Sequence, residues 1–298
     1  MKLLTVVCAA IWLPILLAAR QDPIRPKITG IAYVRVFSTN LENSRSFYGK
    51  IIGLGPASLC SGAGQSCFAI NDHQHIQIVS ANTPPQANFL AQVAFATNNI
   101  RKLRQYLVAH GISVGAIAND RRGAKYCELL DPEGHSIAFV ETMTPPRFTP
   151  APDQLSTRLL HAGFVVQNRE LEDAFYQRLL GFRMYWHGGF KEAQTDWEEI
   201  QVPDGNDWIE YMLNIPSTAD HKELGIQNHF SLGVSSAKAA VALIHAHGLR
   251  KTEQPEIGRD GKWAVDIYDP DLTRVEFMEF TPAQAPCCSP YMAPHPTP

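Results

Sequence analysis

Charge is scarce in this 298-residue chain: 18% of the residues are Asp, Glu, Lys or Arg, and 26 basic against 29 acidic groups leave a net charge of −3. Without a clustered basic excess there is no electrostatic footprint for nucleic acid. Wholesale disorder is excluded as well, because the low charge accompanies a 45% apolar content, enough to build real cores. Long apolar runs are limited to one, so no second candidate membrane span follows it. The length suits about two ordinary domains. The composition is that of a folded, near-neutral protein that handles a small molecule or another protein.

The one apolar run is N-terminal. Met1 and Lys2 precede an uncharged stretch of 17 residues from Leu3 to Ala19, closed by Arg20. A basic start before such a run is the pattern of a secretory signal or an uncleaved anchor, and its length lies at the lower edge of what spans a bilayer. Leu16 and Leu17 make poor cleavage sites, and Cys8 lies inside the run rather than after it. A buried N-terminal helix is the alternative, although the run has no polar face. Residues 1–20 are expected to export the chain to a periplasmic or extracellular location, with membrane contact only through this segment. In such an oxidising compartment a disulfide is expected between Cys60 and Cys67, which flank the turn SGAGQS; free buried thiols are the alternative. Residues 282–298 hold six prolines and can continue neither a helix nor a central strand. A loose tail is expected there, carrying Cys287 and Cys288, whose adjacency is compatible with metal binding, interchain pairing or no role.

Between these ends the chain repeats itself four times. Apolar strand-like segments open at Ile28 (ITGIAYVRV), Phe89 (FLAQVAFAT), Thr157 (TRLLHAGFVV) and Ile226 (IQNHFSLGV). A helical pattern follows each, with Gly at its C-terminal stop, and Asn40 and Asn98 are suitable N-caps for the first two. Each unit closes on a strand-like stretch: HIQIVS, HSIAFVE, DWIEYML and TRVEFME. Units one and three share FYGKIIGL and FYQRLLGF; units two and four share AHG and a late DP strand, DPEGHSIAFVE and DPDLTRVEFME. A two-unit half has therefore been duplicated, giving residues 28–143 and 157–281, joined by a Pro-rich linker at 144–156 that suits a stiff spacer.

The strand–helix–three-strand unit, the FY…LG helix end and the DPxGxxIE-like closing strand resemble the vicinal oxygen chelate superfamily, which includes glyoxalase I, extradiol dioxygenases and the bleomycin- and fosfomycin-resistance proteins. The resemblance covers residues 28–281 and implies an α+β fold of four βαβββ units in two fused halves, each an open barrel of curved sheet. It also implies metal ligands on the first and last strands of each unit, pointing into the barrel. In the C-terminal half those positions are His161, Glu210, His229 and Glu276, spaced by 49, 19 and 47 residues. In the N-terminal half they are Tyr33, Gln77, Gln92 and Ala138, which offer no ordinary divalent-metal ligand set. The C-terminal half is thus expected to hold one divalent ion (Fe2+, Ni2+, Zn2+ or Mn2+), and the N-terminal half to be a metal-free support. A single His on an apolar strand is more often a satisfied core residue. Two His and two Glu converging on one cavity would otherwise leave carboxylates unpaired.

The chemistry implied is metal-dependent, on a small molecule that chelates the ion through adjacent oxygens. His161, His229 and Glu276 resemble the two-His-one-carboxylate face of the extradiol dioxygenases. Glu210 as a fourth ligand, or as a catalytic proton-transfer base, resembles glyoxalase I instead. The alternative is an exported, non-catalytic binding protein of the bleomycin-resistance type. Softer candidates are His187, the aromatic walls Trp197, Trp208 and Trp263, and Arg259 and Lys262 in the turn GRDGKW, which could meet an anionic substrate or be a solvated turn. Tyr268 lies near the position of a dioxygenase substrate-binding Tyr, but its offset from the DP turn does not match.

Overall fold

The computed structural model describes residues 23–57, 60, 62–81, 89–120, 123–141 and 148–298. The apolar segment expected to direct export lies outside the described residues, and among those described no helix is long and apolar enough to cross a membrane. The N-terminal half contributes strands β1 (Ile28–Ser38), β2 (Gly55–Pro56), β3 (Gln65–Ala69), β4 (His75–Ser80), β5 (Leu90–Thr97), β6 (Ala118–Asn119), β7 (Lys125–Leu130) and β8 (Ser136–Glu141). The C-terminal half contributes β9 (Arg158–Val165), β10 (Arg183–Gly188), β11 (Trp197–Gln201), β12 (Trp208–Met212), β13 (His229–Val234), β14 (Glu256–Ile257), β15 (Trp263–Tyr268) and β16 (Arg274–Glu279). Each set forms one eight-stranded sheet, in the orders β2-β3-β4-β1-β5-β8-β7-β6 and β10-β11-β12-β9-β13-β16-β15-β14. The second order is the first shifted by eight strands, which is the duplication seen in the sequence. The sheet of the C-terminal half curls into a half-barrel.

Helices α1 (Leu41–Ser46), α2 (Ile100–Ala109), α3 (Arg169–Asp173), α4 (His221–Gln227) and α5 (Ala237–Ala246) are short. Asn40 caps α1 by accepting from the Glu42 and Asn43 amides. The cap of α2 is Asn99, not the expected Asn98, whose side chain accepts from the Lys27 amide instead. The FY segments do not continue α1 and α3 as α-helix: Phe47–Ile51 and Ala174–Leu179 widen into π-turns. Beyond the first of them Gly53 has φ +76°, and a Cβ there would lie 2.5 Å from the Asp153 carbonyl oxygen, so both backbone conformation and space call for glycine.

These π-turns face the other half of the molecule. Tyr48, from unit one, donates to Asp269 of unit four at 2.9 Å, and Tyr176, from unit three, donates to Asp131 of unit two at 3.1 Å. The FY and DP motifs that alternate along the chain are thus two ends of one reciprocal clasp. Ring packing follows the same pairing, with Tyr48 on Phe230 and Tyr176 on Phe95. One hydrophobic core runs through both halves, from Ile28 and Val34 to Val275 and Phe277.

Two cross-half anchors flank this core. Asp207 accepts from the Ile31 amide at 2.9 Å, from Gln74 Nε2 at 3.2 Å and from both Nε and a terminal nitrogen of Arg158 at 3.1 and 2.7 Å. Gln154, at the end of the Pro-rich connection, donates to the Ile70 carbonyl at 2.8 Å, so this stretch lies against the N-terminal half.

The tail differs from its expectation. Residues 282–298 form a strap along edge strand β10: Trp186 Nε1 donates to the Cys287 carbonyl at 3.1 Å and the Met292 amide to the Tyr185 carbonyl at 2.9 Å. Proline cannot donate, but its carbonyl still accepts, as Pro294 does from Gln201 Nε2 at 2.8 Å. A Pro-rich strap therefore suits an edge that has free donors. Cys60 and Cys67 are joined in a disulfide, as are Cys287 and Cys288, and Cys127 is a free buried thiol.

Candidate metal centre

Strand register brings the sequence-chosen residues together. On β9, His161 faces Trp208 of β12 and Ser231 of β13; two residues on, Gly163 faces Glu210 and His229. Ser231 in turn faces Glu276 of β16. Residues opposite one another, or two apart on one strand, share a sheet face, so all four candidates project to the same side of the half-barrel.

Their atoms converge. His161 Nε2 lies 3.0 Å from His229 Nε2, 3.6 Å from Glu210 Oε2 and 3.4 Å from Glu276 Oε2; His229 Nε2 lies 3.1 Å from Glu210 Oε2. Donors about 2.1 Å from one ion stand about 3.0–3.4 Å apart along the edges of an octahedron or tetrahedron. His161, Glu210 and His229 each offer a ligand atom within 4.8 Å of the other two, close enough to share one ion, and Glu276 approaches this trio through His161. His229 Nδ1 meets the Gln227 carbonyl at 2.9 Å, and donation there leaves the Nε2 lone pair directed at the cluster. Trp208 lies tilted against the His161 ring, centroids 4.8 Å apart.

Electrostatics point the same way. Burial, then the neighbouring charges of His229, Lys262 and Arg274, holds His161 well below the usual imidazole range; burial and Arg274 lower His229. Both shifts favour the neutral imidazole, the form that can ligate a metal. Burial, then the Asp266 charge, pushes Glu276 up to about 8, and burial also raises the adjacent Glu199. Glu276 Oε2, Glu199 Oε2, Ser231 Oγ and His161 Nδ1 are buried without a hydrogen-bond partner. A buried carboxylate in that state is neutralised by a proton or by a cation.

Neighbours that sequence reading passed over complete the site. Arg274, two residues before Glu276 and therefore on the same face, places a terminal nitrogen 2.8 Å from His229 Nε2 and another 3.3 Å from Asp266, which pairs with Glu276 across β15 and β16. Strand alternation could have flagged Arg274; Asp266 is visible only through the register. The donor set fits a divalent ion once this guanidinium leaves the His229 lone pair. Lys262 is neither a solvated turn residue nor open to a substrate. It is fully buried, its ammonium 4.4 Å from the Trp208 ring centroid, 5.0 and 5.1 Å from those of Tyr185 and Tyr291, and 3.5 Å from Asp260. Such a cage offsets desolvation by cation–π attraction.

The remaining candidates lie elsewhere. His187 pairs with Glu198, out of phase with Glu199 and Glu210, and so faces away. Trp197 packs on Phe190, Trp263 lies under Lys238, Arg259 donates to the Gly189 carbonyl and Tyr268 to Glu253.

The N-terminal half shows what replaces such a centre. Tyr33, Gln77, Gln92 and Ala138 hold the register positions of His161, Glu210, His229 and Glu276. Where Gly163 stands in one half, Arg35 stands in the other. Its guanidinium donates to Gln77 at 2.9 Å and pairs with Glu128 at 3.4 Å, while Tyr33 donates to Gln92 at 2.7 Å. A built-in cation and neutral amides thus satisfy one another. Gly163 is the converse: a Cβ there would lie 2.2 Å from His229 Cε1. Gly163→Ala is expected to displace the His229 ring and to destabilise the fold by about 1–3 kcal/mol through overpacking. Chemical unfolding and metal titration of that variant check both effects.

A sequence profile of the glyoxalase/bleomycin resistance protein/dioxygenase superfamily matches residues 30–139 and 158–277. No curated protein matches in sequence. Among solved structures, the 2,3-dioxygenase LapB from Pseudomonas sp. KL28 superposes with a TM-score of 0.68 at 16% identity, covering 92% of this chain and 96% of that one. Homoprotocatechuate 2,3-dioxygenase from Brevibacterium fuscum, solved with 3,4-dihydroxyphenylacetate, gives 0.65 at 19% identity, covering 86% and 82%. The Arthrobacter globiformis homoprotocatechuate enzyme gives 0.65 at 18%, covering 86% and 80%. At such identities these likenesses speak for the fold. With its repeated halves each matched in turn, the chain belongs to the glyoxalase/bleomycin resistance protein/dioxygenase superfamily.

Proposed function

We propose that the C-terminal half is a divalent-metal centre that takes a small molecule through two adjacent oxygens and performs dioxygenase-type chemistry on it. The observation that carries this reading is the buried, partnerless Glu276 Oε2 lying 3.4 Å from His161 Nε2. His161, His229 and Glu276 would hold the ion, with Fe2+ first among Fe2+, Ni2+, Zn2+ and Mn2+. When bound, such an ion supplies Lewis acidity toward a developing enolate or catecholate oxygen. Glu210, 3.1 Å from His229 Nε2, either completes a glyoxalase-like four-ligand set or moves a proton at a substrate oxygen. Arg274, released from His229 but still tied to Asp266, attracts an anionic substrate oxygen. The dioxygenase folds to which the chain is similar support the catechol class. Two disulfides support export, since such bonds persist in oxidising compartments.

One observation favours a second reading. The Arg274 guanidinium against His229 Nε2 resembles the self-satisfied network of the N-terminal half, as in a metal-free binding protein. Elemental analysis of the chain purified anaerobically without chelator separates the two. Iron near one atom per chain, with O2 uptake on adding 3,4-dihydroxyphenylacetate or a simple catechol, is expected. Nickel or zinc would move the assignment to the glyoxalase-like set. No metal, even after divalent ions are added back, would overturn the enzyme.

A further inference from the structure

A second cluster lies at the clasp between units two and three. Asp131 and His135 belong to the DPEGH turn between β7 and β8, and Glu172 stands on α3. One ligand atom from each lies within 4.8 Å of the others. Asp131 Oδ1 accepts from the Glu133 and His135 amides at 3.1 and 2.8 Å. Its Oδ2 accepts from Tyr176 and lies 2.8 Å from His135 Nδ1. Glu172 is fully buried; its Oε1 accepts from the Glu133 amide at 3.0 Å, and its Oε2 has no partner. Among the described residues neither carboxylate forms an ion pair with Lys or Arg.

The equivalent clasp between units one and four shows that the fold does not require this set. There Tyr48 donates to Asp269, whose Oδ1 accepts from the Asp271 and Thr273 amides in the same turn geometry. Thr273 occupies the place of His135, and Ser44, bonded to Ser38, the place of Glu172. The same backbone scaffold thus carries an imidazole and a second buried carboxylate at one junction only. A buried carboxylate with one oxygen left unsatisfied is disfavoured in a dry interior.

We propose that Asp131, His135 and Glu172 bind a second divalent cation of the borderline class, Zn2+ or Mn2+. One imidazole and two carboxylates form a familiar ligand set for such ions, with a further position left for water. A cavity of about 410 Å³ between the halves reaches the His135 edge of the cluster, its wall also including Phe164, Gln167 and Asn228. The His135 ring rests against Phe164, centroids 4.6 Å apart, which steadies its direction. This site is independent of the centre in the half-barrel. A proton on Glu172 is the other way to neutralise the cluster, and the test separates the two.

Zn2+ titration by calorimetry on the metal-stripped chain is expected to give two sites. Glu172→Ser and His135→Thr, which install the residues of the equivalent clasp and so preserve its packing, should each weaken one site at least tenfold and leave the other. His229→Ala should remove the other site instead, and His229→Ala with Glu172→Ser both. If Glu172→Ser and His135→Thr leave Zn2+ binding unchanged while unfolding confirms that they are folded, the second site is overturned and a proton neutralises Glu172. Zn2+ binding unchanged by His229→Ala, with the Glu172-dependent site present, would instead count against the half-barrel centre.

Discussion

His229→Ala is expected to strip the C-terminal half-barrel of its ion, lowering affinity there beyond the ~10–100-fold that follows loss of a residue that merely orients a ligand. The side chain is fully buried, its Nε2 within 3.0–3.1 Å of His161 and Glu210. No other described side chain offers a lone pair in that place. Ion competition on the variant measures the effect. The informative control is Gln92→Ala, which alters the same register position in the N-terminal half, where Gln92 accepts from Tyr33 and donates to Glu128 and Ser136. That substitution should leave the metal content unchanged. If Gln92→Ala or Tyr33→Phe abolished metal binding and His229→Ala did not, the centre would belong to the other half.

Asp207→Ala should cause the larger loss of stability, about 3–5 kcal/mol, the range for breaking one side of a buried ion pair. Its carboxylate is almost fully buried and satisfies donors from both halves: the Ile31 amide, Gln74 Nε2 and the Arg158 fork. Removal leaves the Ile31 amide without its acceptor in the interior and the guanidinium without its counter-ion. Each orphaned group adds its own desolvation cost. Denaturant unfolding should show a lowered midpoint with an unchanged slope. A loss under about 1 kcal/mol would mean that water replaces Asp207 at the junction and that the halves are held by the shared core alone.

Parts of this architecture are written along the chain in a local code. Four strand–helix–strand patterns, duplicated in pairs, correspond to two eight-stranded sheets of one order. The positions chosen as equivalent in the two halves hold equivalent registers, Tyr33 facing His75 and Ala94 as His161 faces Trp208 and Ser231. Alternation within a strand is a period of two residues and survives any tertiary arrangement. Naming His161, Glu210, His229 and Glu276 rested on the superfamily resemblance, which implies ligands on the first and last strands of each unit; the register places all four on one face.

What lay between elements was not legible. Arg274 lies on the same strand as Glu276, yet its bond to His229 depends on how far β16 stands from β13. Lys262 reads as a charge in a Gly-rich turn, but Tyr291, brought back from the tail, helps bury it in an aromatic cage. The tail itself reads as loose because proline excludes helix and ladder, and its partners on β10 and on Gln201, Arg158 and Asp260 come together only in the fold. Tyr48 with Asp269, and Tyr176 with Asp131, join residues 221 and 45 positions apart, for which no local period exists. Sequence alone determined the repeated unit, because it follows from short-range pattern, and with the superfamily resemblance it pointed to the half that carries metal-type side chains. Tertiary structure decided the clasp, the strap and the cations around the site, because these depend on distances between segments that nothing in the intervening chain encodes.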